Sequence, residues 1–130
     1  MNDDLFDHAK AAREKAYAPY SRFQVGAAIR AKTGAIFVGG NVENAAYPEG
    51  WCAETSAIAA MVQAGESQIE EILVVGDGDE LCTPCGGCRQ RIREFSTDQT
   101  KVSVCGLGGV RKVYRMADLL PDSFGPENLA

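Results

Sequence analysis

Four cysteines and one glutamate supply the reactive side chains of this sequence at close spacing. Cys52 is followed two residues later by Glu54, and Cys82, Cys85 and Cys88 fall within the segment C-T-P-C-G-G-C. Thiols at C-x-x-C spacing serve as small buried apolar residues, as a redox dithiol, or as metal ligands. C-x2-C-x2-C is also part of an iron–sulfur run, but the fourth cysteine and its proline are missing at the expected spacing. A fifth cysteine, Cys105, lies inside an apolar stretch and reads as ordinary packing. The single histidine, His8, falls in an N-terminal helical pattern as a solvent-facing residue. A catalytic metal in this chain therefore has to be held by sulfur.

The elements that position these residues follow from the hydrophobic pattern. Residues 3–17 carry Leu5, Phe6, Ala9, Ala12 and Ala16 at helical spacing, with Asp3 and Asp4 at the favourable N-terminal end and Pro19 as the breaker. Residues 23–30 and 35–42 read as a hairpin about a Thr33–Gly34 turn. A second helix starts at Cys52 and stops at Gly65, a buried strand covers 69–76, and a third helix over 85–95 opens after Pro84. Two further strands and a short helical turn complete the chain. The order α-β-β-α-β-α-β-β predicts a three-layer α/β/α domain over residues 1–130, with a mixed sheet of about five strands. Crossover rules then start the second and third helices at one sheet edge.

That edge brings Cys52, Cys85 and Cys88 together. Helix N-termini lower thiol pKa, and gathered thiolates suit Zn²⁺ in a tetrahedral site. Three ligands leave a fourth position for water, and Glu54, on the opening turn of its helix, would carry the proton. A closed four-cysteine structural zinc that includes Cys82 stays open at this point, as does an iron–sulfur protein. Neither has an evident use for Glu54.

Bulk properties narrow the partners. The chain has 130 residues, 45% hydrophobic and 24% charged, with a net charge of -5. Such a field repels nucleic acid and anionic membranes. The N-terminal segment lacks the basic start and apolar block of a signal peptide, and the cysteine count is odd. Both features lead to the expectation of a cytoplasmic protein with reduced thiols.

The residues C-A-E (52–54) and P-C-G-G-C (84–88) resemble the signature of the small homotetrameric cytidine deaminases, whose general form has three cysteine ligands and a non-ligand glutamate. The stretches YAPYSRFQVGAAI, GGNVENAAYPEGWCAE, PCGGCRQ and LLPDSFGP are similar to that family in order and spacing over most of the chain. The resemblance implies one zinc per chain on Cys52, Cys85 and Cys88, with Glu54 as the catalytic proton carrier. It also implies a pyrimidine pocket bordered by Phe23 with Ala53 in the substrate-binding set, and a ribose site at Asn41 and Glu43. Tyr47 and Phe124 would be lent to neighbouring active sites in a homotetramer.

An amide and a carboxylate suit neutral hydroxyls, and Glu43 would repel a phosphate, so the implied substrate is a nucleoside. The implied reaction is hydrolysis of cytidine and 2′-deoxycytidine to the uridines and ammonia. A deaminase of a modified, blasticidin-type cytosine nucleoside and a non-catalytic Cys₄ protein are the alternatives. One position departs from the pattern. Thr55 stands where many members carry an arginine that hydrogen-bonds the thiolates, which leaves the helix dipoles and Arg89 to offset their charge.

Overall fold

In the computed structural model, described for residues 2–129 with side chains from Leu5 to Leu129, every expected element is present. The side chains of Asp3 and Asp4, expected to favour the first helix, lie outside that range. The chain runs α1 (Asn2–Glu14), β1 (Val25–Ala31), β2 (Ile36–Gly40), α2 (Ala53–Gln63), β3 (Ile69–Gly76), α3 (Gly86–Glu94), β4 (Lys101–Gly106), β5 (Gly109–Arg115) and a short α4 (Met116–Leu119). Single 3-10 turns occupy Tyr47–Glu49 and Pro126–Asn128.

The strands form one mixed sheet in the order β2-β1-β3-β4-β5, in which only β3 and β4 pair in parallel. Alternation along the central strands divides the core between the two faces. Ala28, Leu73, Val75 and Cys105 pack under Leu5 and Ala9 of α1. Ala27, Ile29, Ile72, Val74 and Val102 meet Ala57, Ile58 and Met61 of α2, Ile92 of α3 and Met116. Each large aliphatic side chain buried this way contributes about 1.5–3 kcal/mol. The outcome is the three-layer α/β/α arrangement read from the sequence.

Two glycines set how near the helices lie. A Cβ on Gly26 would overlap the Ala9 carbonyl and Arg13 of α1, and one on Gly39 would overlap the Ala57 amide and Ser56 of α2. Among the described residues, no helix is long and apolar enough to cross a membrane.

Boundaries that differ from the sequence reading include the end of α1, the start of β1 and the end of β2, which stops at Gly40 and not at residue 42. Helix α1 ends at Glu14, before Pro19 could break it, because Tyr17 is taken by another partner. The Tyr17 amide donates to the Asn41 carbonyl at 2.9 Å, and the Tyr17 carbonyl accepts from the Glu43 amide at 2.8 Å. Strand β1 begins at Val25, not at residue 23, because the segment before it is held by side chains of Ser21 and Asn41.

Strand direction places the site. Strands β2 and β3 are both antiparallel to β1, so they run parallel to each other. The chain leaves the C-terminal end of β2 for α2 and the C-terminal end of β3 for α3. Both helices therefore begin at the same edge of the sheet.

Candidate metal centre and adjoining cleft

Cys52 is the N-cap residue of α2 and Cys85 the N-cap residue of α3, both in extended conformation, while Cys88 is the third residue of α3. The Val42–Trp51 bridge, with its two backbone hydrogen bonds of 2.8 Å, closes the intervening loop and delivers Cys52 beside the Asn41–Glu43 segment. The three sulfurs lie within 4.8 Å of one another, with Cys52 and Cys85 Sγ 4.0 Å apart. A tetrahedral zinc with Zn–S bonds of about 2.3 Å sets its sulfurs about 3.8 Å apart. The spacing fits that ion and is far too long for a disulfide, and all five cysteines are free.

The donor set also fits in its acidity. A hydrogen bond from Cys88 holds the Cys52 thiol below the ordinary range, against burial and the nearby charges of Cys85 and Glu54. The same bond, with burial, holds Cys88 above it. A cation ligated by all three sulfurs would displace their protons.

Glu54, the second residue of α2, is 5% exposed. Burial pushes its carboxyl above the usual carboxylate range, while its own backbone N–H and the charge of Arg91 pull the other way. A raised carboxyl pKa suits a group that must both take and give a proton near neutral pH.

Cys82 and Cys105 are not part of the cluster. Cys105 lies on the opposite, α1 face of the sheet, where burial raises its thiol pKa to about 11. Cys82 packs so closely on Gly76 that a Cβ there would meet its sulfur at 2.7 Å. His8 is exposed on α1.

A cleft of about 360 Å³ opens beside the sulfurs, within the size range of small-molecule sites. Asn41, Glu43, Tyr47, Cys52, Ala53, Glu54, Cys82 and Cys85 line it. Phe23 is not among the residues that line it; its ring edge lies 3.4 Å from where a Gly76 Cβ would sit, and Cys82, which does line the cleft, lies 2.7 Å from the same point. Phe124 does not line the cleft of its own chain. Its carbonyl accepts from Gln90 Nε2 at 2.9 Å, and Arg93 holds the neighbouring tail through Ser123 at 2.8 Å and an ion pair with Glu127. The tail backbone is thus fastened to α3, while Phe124 is 58% exposed.

Asn41 and Glu43 do more than line the cleft. Asn41 Oδ1 accepts from the Val25 amide and its Nδ2 donates to the Phe23 carbonyl, both at 2.9 Å. Glu43 accepts from the Tyr20 amide at 2.9 Å, from the Ser21 amide at 3.1 Å, and from the Ser21 hydroxyl. Ser21 Oγ in turn accepts from the Phe23 amide at 3.0 Å. Arg22, between them, takes a left-handed φ of 61°. These bonds fix the loop that presents Phe23.

The sequence reading missed Ser21, whose only signal is its place in a short polar stretch before the first strand. It also assigned the wrong arginine to the thiols. Arg89 donates to the Pro84 carbonyl at 2.8 Å and the Leu119 carbonyl at 3.0 Å. Thr55 Oγ1 lies 3.8 Å and Arg91 Nη1 4.0 Å from Cys88 Sγ.

Comparison with known proteins agrees with this geometry. The family model described as "cytidine and deoxycytidylate deaminase zinc-binding region" matches residues 1–104. A cytidine deaminase of Sporosarcina psychrophila is 41% identical over 128 residues, covering 98% of this chain and 94% of that one. One from Halalkalibacterium halodurans is 41% identical over 96% of this chain and 95% of its own length. The crystal structure of a cytidine deaminase from Burkholderia pseudomallei superposes with a TM-score of 0.89 at 44% identity, covering 95% of this chain and 99% of that one.

Proposed function

Because the chain belongs to the cytidine deaminase family of zinc-binding enzymes, we propose that it hydrolyses cytidine and 2′-deoxycytidine to uridine and 2′-deoxyuridine with release of ammonia. The observation that carries this reading is a buried carboxyl, Glu54, on the turn beside three thiols that fit one zinc. Cys52, Cys85 and Cys88 hold that ion, one per chain. Zinc, when bound, supplies a water acidic enough to act as a nucleophile near neutral pH.

Glu54 would take a proton from the attacking water and deliver it to N3 of the pyrimidine. It then carries the remaining hydroxyl proton to the amino group, the C4–N bond breaks, and ammonia leaves. Water in and ammonia out balance the reaction. The closed surroundings of Glu54 support the role, since burial keeps bulk water from short-circuiting the transfer.

Asn41 and Glu43 take the ribose hydroxyls, Ala53 lies against the bound nucleoside, and Phe23 borders the base. The Glu43 carboxylate disfavours a phosphate, so a free nucleoside is the substrate. Asn41 and Glu43 keep acceptor capacity beyond their loop contacts, which supports the double assignment. Tyr47, 79% exposed at the cleft, and Phe124 each complete a neighbour's site in a homotetramer. Their exposure in the single chain supports that reading, because large aromatic side chains gain little from water. Residues 1–130 act as one catalytic domain, and the free thiols suit the cytoplasm.

The direct test follows the ultraviolet absorbance change as cytidine is converted, on zinc-loaded protein and on protein stripped with a chelator. Turnover in the first and none in the second is the expected result. A zinc-loaded protein inert toward both cytidine and deoxycytidine overturns the proposal.

A further inference from the structure

Three ionised thiols around a divalent ion leave one net negative charge, and Glu54 sets a carboxyl beside it. The fold answers this charge from α3. Arg91 lies three residues after Cys88, a spacing at which two helical side chains share a face. Helical side chains lean toward the N-terminus, so the Arg91 side chain covers the turn that contains Cys88. Its Nη1 is 4.0 Å from Cys88 Sγ. That separation is the outer limit of an N–H···S hydrogen bond and lies well within the range of a charge–charge contact.

Three further observations favour a purpose for this contact over simple surface placement. A Cβ on Gly87 would sit 3.3 Å from Nη1, so the guanidinium is laid back along the first turn of α3 and not extended into solvent. Among the described residues no carboxylate lies within 4.0 Å of Arg91, whereas Arg93 on the same helix is paired with Glu127. The residue facing the same sulfur from α2 is Thr55, which is neutral.

We propose that Arg91 is a positioning residue of the metal centre, acting through Cys88 to balance the charge of the three thiolates. The inference rests on the zinc assignment made above. A guanidinium stays protonated at any working pH, so the balance is permanent. Without it the sulfurs carry more uncompensated charge, donate more strongly, and hold the ion less well against competing protons.

The test uses the full chain and three variants: Arg91→Gln, Arg91→Lys, and Arg91→Gln combined with Thr55→Arg. Zinc affinity is measured by chelator competition, and the sulfur-to-metal charge-transfer band is recorded on cobalt-substituted protein. Arg91→Gln is expected to weaken zinc binding about 10- to 100-fold, as loss of an outer partner of a metal ligand does. It should also move the charge-transfer band to longer wavelength and lower kcat with little change in KM. Arg91→Lys should recover part of the loss, and Thr55→Arg should restore the band by bringing a cation to the same sulfur from α2. Wild-type affinity and an unmoved band in Arg91→Gln overturn the inference. So does a loss that neither cation repairs, since that marks Arg91 as mere packing. A wild-type protein that binds no zinc at all instead overturns the function on which the inference stands, and this inference with it.

Discussion

Cys52 and Cys85 each cap a different helix, and their sulfurs stand 4.0 Å apart although the two are 33 positions apart in the chain. The pairing exists only because β2 and β3 end at the same edge of the sheet. Zinc content should therefore depend on Cys52, Cys85 and Cys88 and on no other cysteine. Cys85→Ser and Cys88→Ser should purify with little zinc, while Cys82→Ser and Cys105→Ser should keep one ion per chain. X-ray absorption should find three sulfurs and one lighter atom, and a four-sulfur shell would contradict the assignment.

Glu54→Gln keeps the shape of the side chain but removes its ability to move protons. Turnover should fall by at least about 10²–10⁴-fold, the usual worth of a general acid–base group. Zinc content and the circular dichroism spectrum should stay at wild-type values. Near-normal turnover in a zinc-loaded variant would reduce Glu54 to a structural role.

Glu43 should show its loop-holding role in a pH titration. The Ser21 hydroxyl and amide, and then the Tyr20 amide, hold its carboxyl below the ordinary value of 4.5. The unfolded chain takes up this proton first as pH falls. The contribution to stability is thus complete above 4.5 and is lost as pH drops through the depressed native value. Carbon-13 NMR should place the Glu43 midpoint below 4.5, and the Tyr20 and Ser21 amides should lose exchange protection across the same interval. Glu43→Gln should raise KM on the order of tenfold, since a neutral amide makes weaker hydrogen bonds than a carboxylate. An unshifted midpoint would remove the charge from the account.

Deleting residues 123–130 removes Phe124 together with the Ser123 and Glu127 anchors on Arg93. Zinc content should stay full while KM for cytidine rises. Mixing the truncated chain with a full-length Glu54→Gln chain should recover activity, because intact tails then cover intact metal sites. Normal KM in the truncated protein, or an active monomer in sedimentation, would refute the shared site.

The chemistry was easier to read in the sequence than the scaffolding that aims it. Strand β3 runs over the predicted residues, 69–76, because the short buried apolar run Ile72–Val75, bounded by Gly76, reads as a strand. The clustering of Cys52, Cys85 and Cys88 and the place of Glu54 were legible because each stands at a fixed offset from a helix start. The end of α1 and the start of β1 were not, because both depend on hydrogen bonds to Asn41 and Glu43, distant in sequence. Arg89 and Arg91 illustrate the same limit within one helix. Both are near Cys88 in sequence, but Arg89 is drawn to the Pro84 and Leu119 carbonyls, and only Arg91 shares the face of the sulfur.

The meeting of two helix caps at one sulfur cluster has a consequence for folding. An ion held by Cys52 and Cys85 ties off a loop that contains all of α2 and β3, a helix on one face of the sheet and a central strand that packs on both. Such a clip acts as a reversible cross-link, limiting the freedom of the unfolded chain as well as joining parts of the native one. Metal supply then becomes a variable of stability: each tenfold rise in free zinc above the dissociation constant adds about 1.4 kcal/mol. A melting temperature of this protein is therefore also a reading of how much zinc the solution contains.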